Sequence, residues 1–173
     1  MGYRDNVLKT FNGGASKADD ILMAITGLIG ETGEIVDWSK KNLFHKKKPS
    51  TELLMYEIGD VRWYVEALQY LVDYDGGLKA PMPLINIPDD RKIMKLALEA
   101  SEDARLFNWY AQMYLIGNDS NLIMGARSII AKTDHINRAM ADIGVLIGYP
   151  MDYIEKANSD KLRERYPEKF EVQ

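Results

Sequence analysis

Apolar residues recur at the spacing of an α-helix over most of this chain, and this periodicity constrains its fold more than any other feature. A helix brings residues three and four positions apart onto one face, whereas a strand alternates its faces at every residue. The helical spacing predicts helices over residues 17–42, 50–75, 89–116, 121–147 and 151–165. No segment alternates convincingly enough to predict a strand. The sequence therefore predicts an all-α protein, folded as a helical bundle.

Capping and helix-breaking residues mark the ends of these helices. Ser16 and Ser50 each precede a periodic stretch and are typical N-caps, because a serine hydroxyl accepts a backbone N–H of the first turn. Three prolines within residues 76–88 predict an irregular connection between the second and third helices. Glycine-containing turns at residues 117–120 and 148–150 separate the remaining helices.

Length and composition exclude several classes of protein. The 173 residues suffice for one domain with a hydrophobic core, and the net charge of −4 gives no broad basic surface for nucleic acid. The absence of cysteine excludes disulfides, thiolate catalysis and cysteine-based zinc sites. No apolar run approaches the length of a membrane span, and residues 1–6 lack the apolar core of a signal peptide. We expect a cytoplasmic protein that binds neither nucleic acid nor a membrane.

Two pairs of acidic residues lie close to the apolar faces of the first two long helices. Glu57 falls within the apolar stripe of the second helix, and Asp60 follows one turn later at the edge of that stripe. Glu31 and Glu34 have the same spacing and flank the apolar face of the first helix. Because residues three apart point the same way, packing of the two helices brings four carboxylates together.

Carboxylates in such positions need a compensating partner. A bare carboxylate in an apolar stripe costs several kcal/mol unless it is protonated, paired with a cation or bound to a metal. Oxygen-only ligands suit a hard cation such as Mg²⁺ or Mn²⁺. The spacing alone leaves two interpretations open, a metal site or ordinary ion pairs and solvated acids. Gly27, Gly30 and Gly33 on the first helix indicate that a helix or a ligand approaches its backbone closely, since each glycine costs about 1 kcal/mol relative to alanine.

Three separated segments carry a resemblance to a known family. They are GLIGETGEIV at residues 27–36, EIGDVRWY at residues 57–64 and NSDKLRERYPEKF at residues 158–170. In this order they are similar to the motifs of the MazG-like all-α nucleoside triphosphate pyrophosphatases, and the lysines and histidine of residues 40–45 also fit. The resemblance covers residues 1–75 and 140–173.

The resemblance implies an enzyme that hydrolyses a (deoxy)nucleoside triphosphate to the nucleoside monophosphate and pyrophosphate. It implies that Mg²⁺, with Mn²⁺ as a substitute, is held by four carboxylates and activates a water for attack on the α-phosphorus. These catalytic and metal-binding residues are Glu31, Glu34, Glu57 and Asp60. In our interpretation Glu34 accepts the proton of the water. We expect the substrate to contact basic, polar and aromatic residues near the motifs, namely Lys40, Lys41, His45, Trp63, Asn158 and Lys161.

The middle of the chain departs from the family pattern. Short members pass from the second motif almost directly to the third, whereas here residues 76–140 intervene. We interpret residues 1–173 as a single domain in which this segment is either an inserted helical hairpin or a degenerate second repeat. In short members two chains complete the bundle around the site, and the resemblance therefore predicts a homodimer.

A weak internal alignment supports the repeat. Residues 102–109 align with residues 31–38, and Met140-Ala141-Asp142 loosely echoes Ile58-Gly59-Asp60. In that alignment Arg105 replaces Glu34 and Ala139 replaces Glu57, so the second copy could not hold metal. The apolar stripes of the aligned helices are placed differently, which counts against duplication.

Two other classes of protein are weighed against this enzyme. A non-catalytic nucleotide-binding or scaffold bundle is the alternative, because sequence does not show turnover. A di-iron bundle uses Glu-x-x-His pairs, and neither His45 nor His135 lies three residues after a glutamate, so the di-iron class is disfavoured. The sequence specifies neither the base nor the sugar, and it does not separate nucleotide-pool cleansing from phage-type nucleotide metabolism or control of a signalling nucleotide.

Overall fold

A computed structural model describes residues 2–11, 13–74, 76, 89–117 and 122–171. These residues form seven α-helices and one short 3-10 helix, and they contain no strand. The α-helices are α1 (Tyr3–Thr10), α2 (Lys17–Phe44), α3 (Thr51–Leu71), α4 (Asp89–Leu115), α5 (Leu122–Ile129), α6 (Lys132–Leu146) and α7 (Met151–Arg165), and the 3-10 helix spans Pro167–Lys169. Since the helices pack against one another, the predicted all-α bundle is confirmed.

The two predicted serine caps are present. The hydroxyl oxygen of Ser16 accepts the backbone N–H of Asp19 at 3.1 Å, and that of Ser50 accepts the N–H of Leu53 at 3.2 Å. α3 ends at Leu71, before the predicted end at residue 75, and the backbone turns left-handed at Asp73, where φ is 58°.

The predicted fourth helix is wrong in one respect, because it consists of two helices, α5 and α6. The backbone N–H of Thr133 donates to the carbonyl of Ile130 at 2.9 Å, and that of Asp134 donates to Ala131 at 3.2 Å. These bonds reach back three residues instead of four, so the α-helical pattern is interrupted at the junction. The sequence does not predict α1, because its eight residues include few apolar side chains that could form a stripe.

The core lies between α2, α3, α4 and α6. α4 packs along α2, α6 packs on α4 and α3, and α7 and α1 both lie against α3. Each fully buried leucine or isoleucine stabilises the fold by about 1.5–3 kcal/mol. Leu28 and Ile35 of α2, Leu68 of α3, Phe107 of α4 and Met140 of α6 are all fully buried.

A buried arginine connects three helices of the bundle through polar contacts. Arg62 of α3 is only 5% exposed, and a buried cation is tolerated only with partners. Its guanidinium donates to Asn137 Oδ1 on α6 at 2.6 Å and to Glu155 Oε1 on α7 at 2.7 Å. It also lies 3.4 Å from Glu66 one turn along α3. Three helices therefore meet at this side chain.

None of the helices in the described part of the chain combines the length and the apolar character that crossing a membrane requires. The cytoplasmic location stays a prediction.

Candidate active site

Three carboxylates converge where α2 and α3 pack together. Glu31 on α2 and Glu57 and Asp60 on α3 each offer one oxygen, and these oxygens all lie within 4.8 Å of one another. All three residues are half-buried. A single cation placed among them contacts all three, and an oxygen-only ligand set fits a hard divalent ion such as Mg²⁺ or Mn²⁺. Three of the four predicted metal ligands are thus brought together.

Glu34, the fourth predicted ligand, lies outside this group. Its side chain is exposed, and its charge is the weakest of the influences that raise the pKa of Glu31. A three-residue step leaves Glu34 about 60° from Glu31 around the helix, on the solvent-exposed side of α2. Its predicted roles as ligand and base stay predictions.

The carboxylates resist ionising together. Burial raises the pKa of Glu31 from 4.5 to about 7, and the charges of Asp60 and Glu57 add to this effect, while Lys161 opposes it. Burial also raises the pKa of Glu57, again with the charge of Asp60 as the second cause. A bound divalent cation offsets both effects. Perturbed carboxyls beside a cleft are typical of functional sites.

α7 contributes two residues of the third motif to the same place. The amide of Asn158 donates from Nδ2 to Asp60 Oδ1 at 2.9 Å, and the ammonium of Lys161 donates to Asp60 Oδ2. Asn158 is 1% exposed, whereas Lys161 remains partly accessible. Both predicted residues therefore lie at the carboxylates, and both oxygens of Asp60 have a partner.

Close helix packing explains one of the three glycines of α2. A Cβ at Gly27 would lie 2.1 Å from the ring of Tyr64, so only glycine fits where α3 passes. At Gly30 and Gly33 a Cβ would meet nothing within 4 Å among the described residues. These two glycines leave the backbone beside Glu31 open to a group from outside the chain.

A cleft of about 370 Å³ opens beside the carboxylates, within the size range of small-molecule sites. Its aromatic walls include Trp63, whose indole N–H donates to Thr10 Oγ1 at 3.0 Å and whose ring stacks on Phe11 at 5.8 Å. The cleft is lined by Thr10, Met23, Glu31, Asp60, Trp63, Tyr64, Leu162, Arg165 and Tyr166. A cleft with aromatic walls, acids and one arginine suits a nucleotide.

The remaining predicted substrate residues make other contacts. Lys40 and Lys41 are exposed, and both ammonium groups bind Asp37. His45 is exposed at the end of α2. The structure therefore assigns these residues no contact with the carboxylates.

Several residues near the site were not anticipated from the sequence. Tyr3 and Thr10 come from α1, which carries no apolar periodicity, and Tyr64 faces the cleft although its spacing placed it in the apolar stripe. Tyr166 belongs to the third motif, which offered a signal that the sequence analysis did not use.

A second, smaller cavity of about 210 Å³ lies between α4 and α6. Its acidic lining residues are Glu99, Glu102, Asp103 and Asp142, together with His135 and Arg138. Asp103 is paired with Lys132 at 3.2 Å, and no three acids of this cavity converge as Glu31, Glu57 and Asp60 do within the described residues.

Comparisons with protein-family models, with curated proteins and with solved structures found no match to this chain. The family resemblance therefore rests on the three motifs.

Proposed function

We propose that this chain is a metal-dependent hydrolase that converts a (deoxy)nucleoside triphosphate to the nucleoside monophosphate and pyrophosphate. The observation that carries the proposal is the convergence of Glu31, Glu57 and Asp60 beside an aromatic cleft. These three residues occupy the first two motifs that resemble the MazG-like pyrophosphatases. A cluster of acids with only a structural role would have no need of an adjoining cleft, so the cleft favours a functional site.

The residues have distinct roles in this proposal. The three carboxylates would hold Mg²⁺, which when bound would offset phosphate charge and polarise the attacking water. Lys161 donates to Asp60, and with substrate bound its ammonium would donate to a phosphate oxygen and offset the phosphate charge. Glu34 is exposed one turn from Glu31, where water reaches it, and is our candidate for the base.

The cleft suits the nucleoside part of the substrate. Trp63, Tyr64 and Tyr166 present aromatic surface on which a base can stack. The guanidinium of Arg165 lies 5.4 Å from the centroid of the Tyr166 ring and supplies hydrogen-bond donors at the rim. Because Glu31 and Asp60 line the same cleft, a base held there directs its phosphates toward the carboxylates.

Direct detection of pyrophosphate tests the proposal. Ribo-, deoxyribo- and modified nucleoside triphosphates are incubated with Mg²⁺ or Mn²⁺, and phosphate is assayed with and without added inorganic pyrophosphatase. We expect pyrophosphate and not orthophosphate from at least one substrate. Glu57→Gln should lower the rate at least about 100-fold, as loss of a metal ligand does, while exposed Glu52→Gln on the same helix serves as the matched control. Nucleotide binding without turnover across the panel would favour the scaffold alternative.

The homodimer belongs to this proposal as a prediction from the resemblance. The apolar stripes of α2 and α3 need packing partners, and in this chain α4 packs on α2 and α6 packs on α3. The light-scattering measurement described below therefore decides between a dimer and a bundle completed within one chain.

A further inference from the structure

The N-terminal helix α1 docks on the two helices that carry the second and third motifs. It lies against α3 and α7, and its polar side chains contact residues of both motifs. Asn6 donates from Nδ2 to Ser159 Oγ at 3.1 Å, and Thr10 accepts the indole N–H of Trp63 at 3.0 Å. Tyr3 reaches furthest toward the carboxylates.

Two hydrogen bonds connect Tyr3 to the metal-binding group. The hydroxyl of Tyr3 donates to Asn158 Oδ1 at 3.0 Å, and Asn158 donates from Nδ2 to Asp60 Oδ1 at 2.9 Å. The same hydroxyl lies 3.3 Å from the carbonyl of Gly59, the residue before Asp60. Tyr3 therefore contacts both the side-chain partner and the backbone neighbour of Asp60.

The chemistry of the amide makes this connection directional. An amide has an oxygen that only accepts and a nitrogen that only donates. As long as Tyr3 donates to the oxygen of Asn158, the nitrogen faces Asp60. A reversed amide sets its oxygen against the Asp60 carboxylate, where the two repel. Gly59 holds the amide close, since a Cβ there would lie 3.0 Å from the Cβ of Asn158.

We propose that Tyr3 is a positioning residue for the metal site, and that it acts by fixing the amide of Asn158, which orients the carboxylate of Asp60 toward Glu31 and Glu57. The inference rests on the metal site of the proposed function. Partners that orient a ligand from behind commonly control metal affinity by about 10- to 100-fold.

The tyrosine is itself well fixed and remains a donor. The guanidinium of Arg62 lies 5.6 Å from the centroid of the Tyr3 ring, and Arg62 is held by α6 and α7. Burial raises the pKa of the Tyr3 hydroxyl far above its usual range, and the opposing charge of Arg62 does not cancel this. The hydroxyl thus keeps its proton at any pH where the protein is assayed.

Metal binding in the full-length chain tests the proposal. Mn²⁺ affinity is measured by calorimetry without nucleotide for the wild type and for Tyr3→Phe, which keeps the ring over Arg62 and removes only the hydroxyl. We expect Mn²⁺ to bind about tenfold more weakly to Tyr3→Phe. The rise in melting temperature on adding Mn²⁺ gives a second measure of metal binding. Each variant is compared with its own metal-free melting temperature, so a change in its basic stability does not affect the result.

Two controls separate positioning from simple docking of α1. Tyr74→Phe loses a comparable bond, 2.7 Å long, to Asp134 and should leave Mn²⁺ affinity unchanged. Asn6→Ala loosens α1 from α7 without touching Asn158 and should also leave it unchanged. Equal weakening by Asn6→Ala and Tyr3→Phe would show that docking of the helix matters and would overturn the proposal.

A double-mutant cycle identifies the route of the effect. In an Asn158→Ala background, Tyr3→Phe should cause no further loss of Mn²⁺ affinity, because the amide that it orients is gone. Additive losses would overturn the proposal. A wild type that binds no Mn²⁺ removes the metal site and the proposed function together, whereas wild-type binding matched by Tyr3→Phe removes only the role of Tyr3.

Discussion

Glu31→Gln should stabilise the metal-free protein at alkaline pH and not at acidic pH. The folded state raises the pKa of Glu31 from 4.5 to about 7, so between these values the folded protein binds more protons than the unfolded chain. Stability then falls as the pH rises from 4.5 to 7, and the full cost of the ionised carboxylate is present above pH 7. Glutamine carries no charge, so the variant escapes this cost.

The size of the effect follows from the shift. Each pKa unit corresponds to about 1.4 kcal/mol, so a pKa change from 4.5 to about 7 sets an upper limit of about 3.4 kcal/mol. Glu31 is only half-buried, and solvent screening reduces this to about 1–2 kcal/mol. In a chain of this length that corresponds to a rise of about 2–8 °C in melting temperature.

Thermal and urea unfolding in EDTA at pH 4.5 and pH 8 measure this difference, and the same experiment is repeated with Mn²⁺. Without metal we expect Glu31→Gln to exceed the wild type at pH 8 and to equal it at pH 4.5. With Mn²⁺ the order should reverse, since only the wild type gains binding energy. Glu102→Gln, an exposed glutamate on α4, is the matched control and should change neither profile. A loss of metal-free stability in Glu31→Gln at pH 8 would refute the reasoning, because it would make Glu31 a structural ion-pair partner.

Two further predictions concern the substrate and the assembly. Lys161→Ala should lower kcat/KM by about 10- to 100-fold through loss of a charge-assisted bond to phosphate, with the number of bound metal ions unchanged. Lys156→Ala, which removes an exposed lysine paired with Asp160 on the same helix, should match the wild type in the same kinetic and metal-titration assays. For the assembly, light scattering after size exclusion should give twice the 19.7 kDa chain mass for the predicted homodimer, and one chain mass with full activity would refute it.

Most of the helices could be predicted because their apolar stripes are long. The stripes of α2, α3 and α4 each span five turns or more, so the periodicity outweighs local exceptions. α1 could not be predicted in this way, because polar contacts such as those of Tyr3 and Asn6 hold it in place. The break between α5 and α6 lies where the backbone N–H groups of Thr133 and Asp134 bond three residues back, which a hydrophobic pattern does not register.

The candidate site was predictable where it depends on spacing along one helix. Glu57 and Asp60 share a face of α3, and Asn158 and Lys161 share a face of α7, so each pair could be anticipated. Contacts between distant segments could not be. Whether Glu34 joins the other carboxylates depends on how far α2 is rotated about its axis against α3. That rotation is set by which row of side chains on one helix packs into which groove of the other.

The two halves of the bundle bear on the origin of the middle segment. At the offsets of the weak internal alignment, Glu31 corresponds to Glu102 and Asp60 to Asp142, while Ala139 takes the place of Glu57. Glu102, Ala139 and Asp142 line one cavity between α4 and α6. Glu31 and Asp60 line a cleft whose walls come from α1, α2, α3 and α7, and Glu57 is not among its lining residues. An unrelated inserted hairpin gives no reason for aligned positions to meet again across a helix pair. A degenerate copy would give one, but the differently placed apolar stripes and Arg105 at the position of Glu34 count against it, so both origins of the middle segment stay open. The light-scattering measurement bears on this choice, because α4 already packs against α2. One chain mass would favour a degenerate copy that takes the place of a second chain, and twice that mass would favour an inserted hairpin.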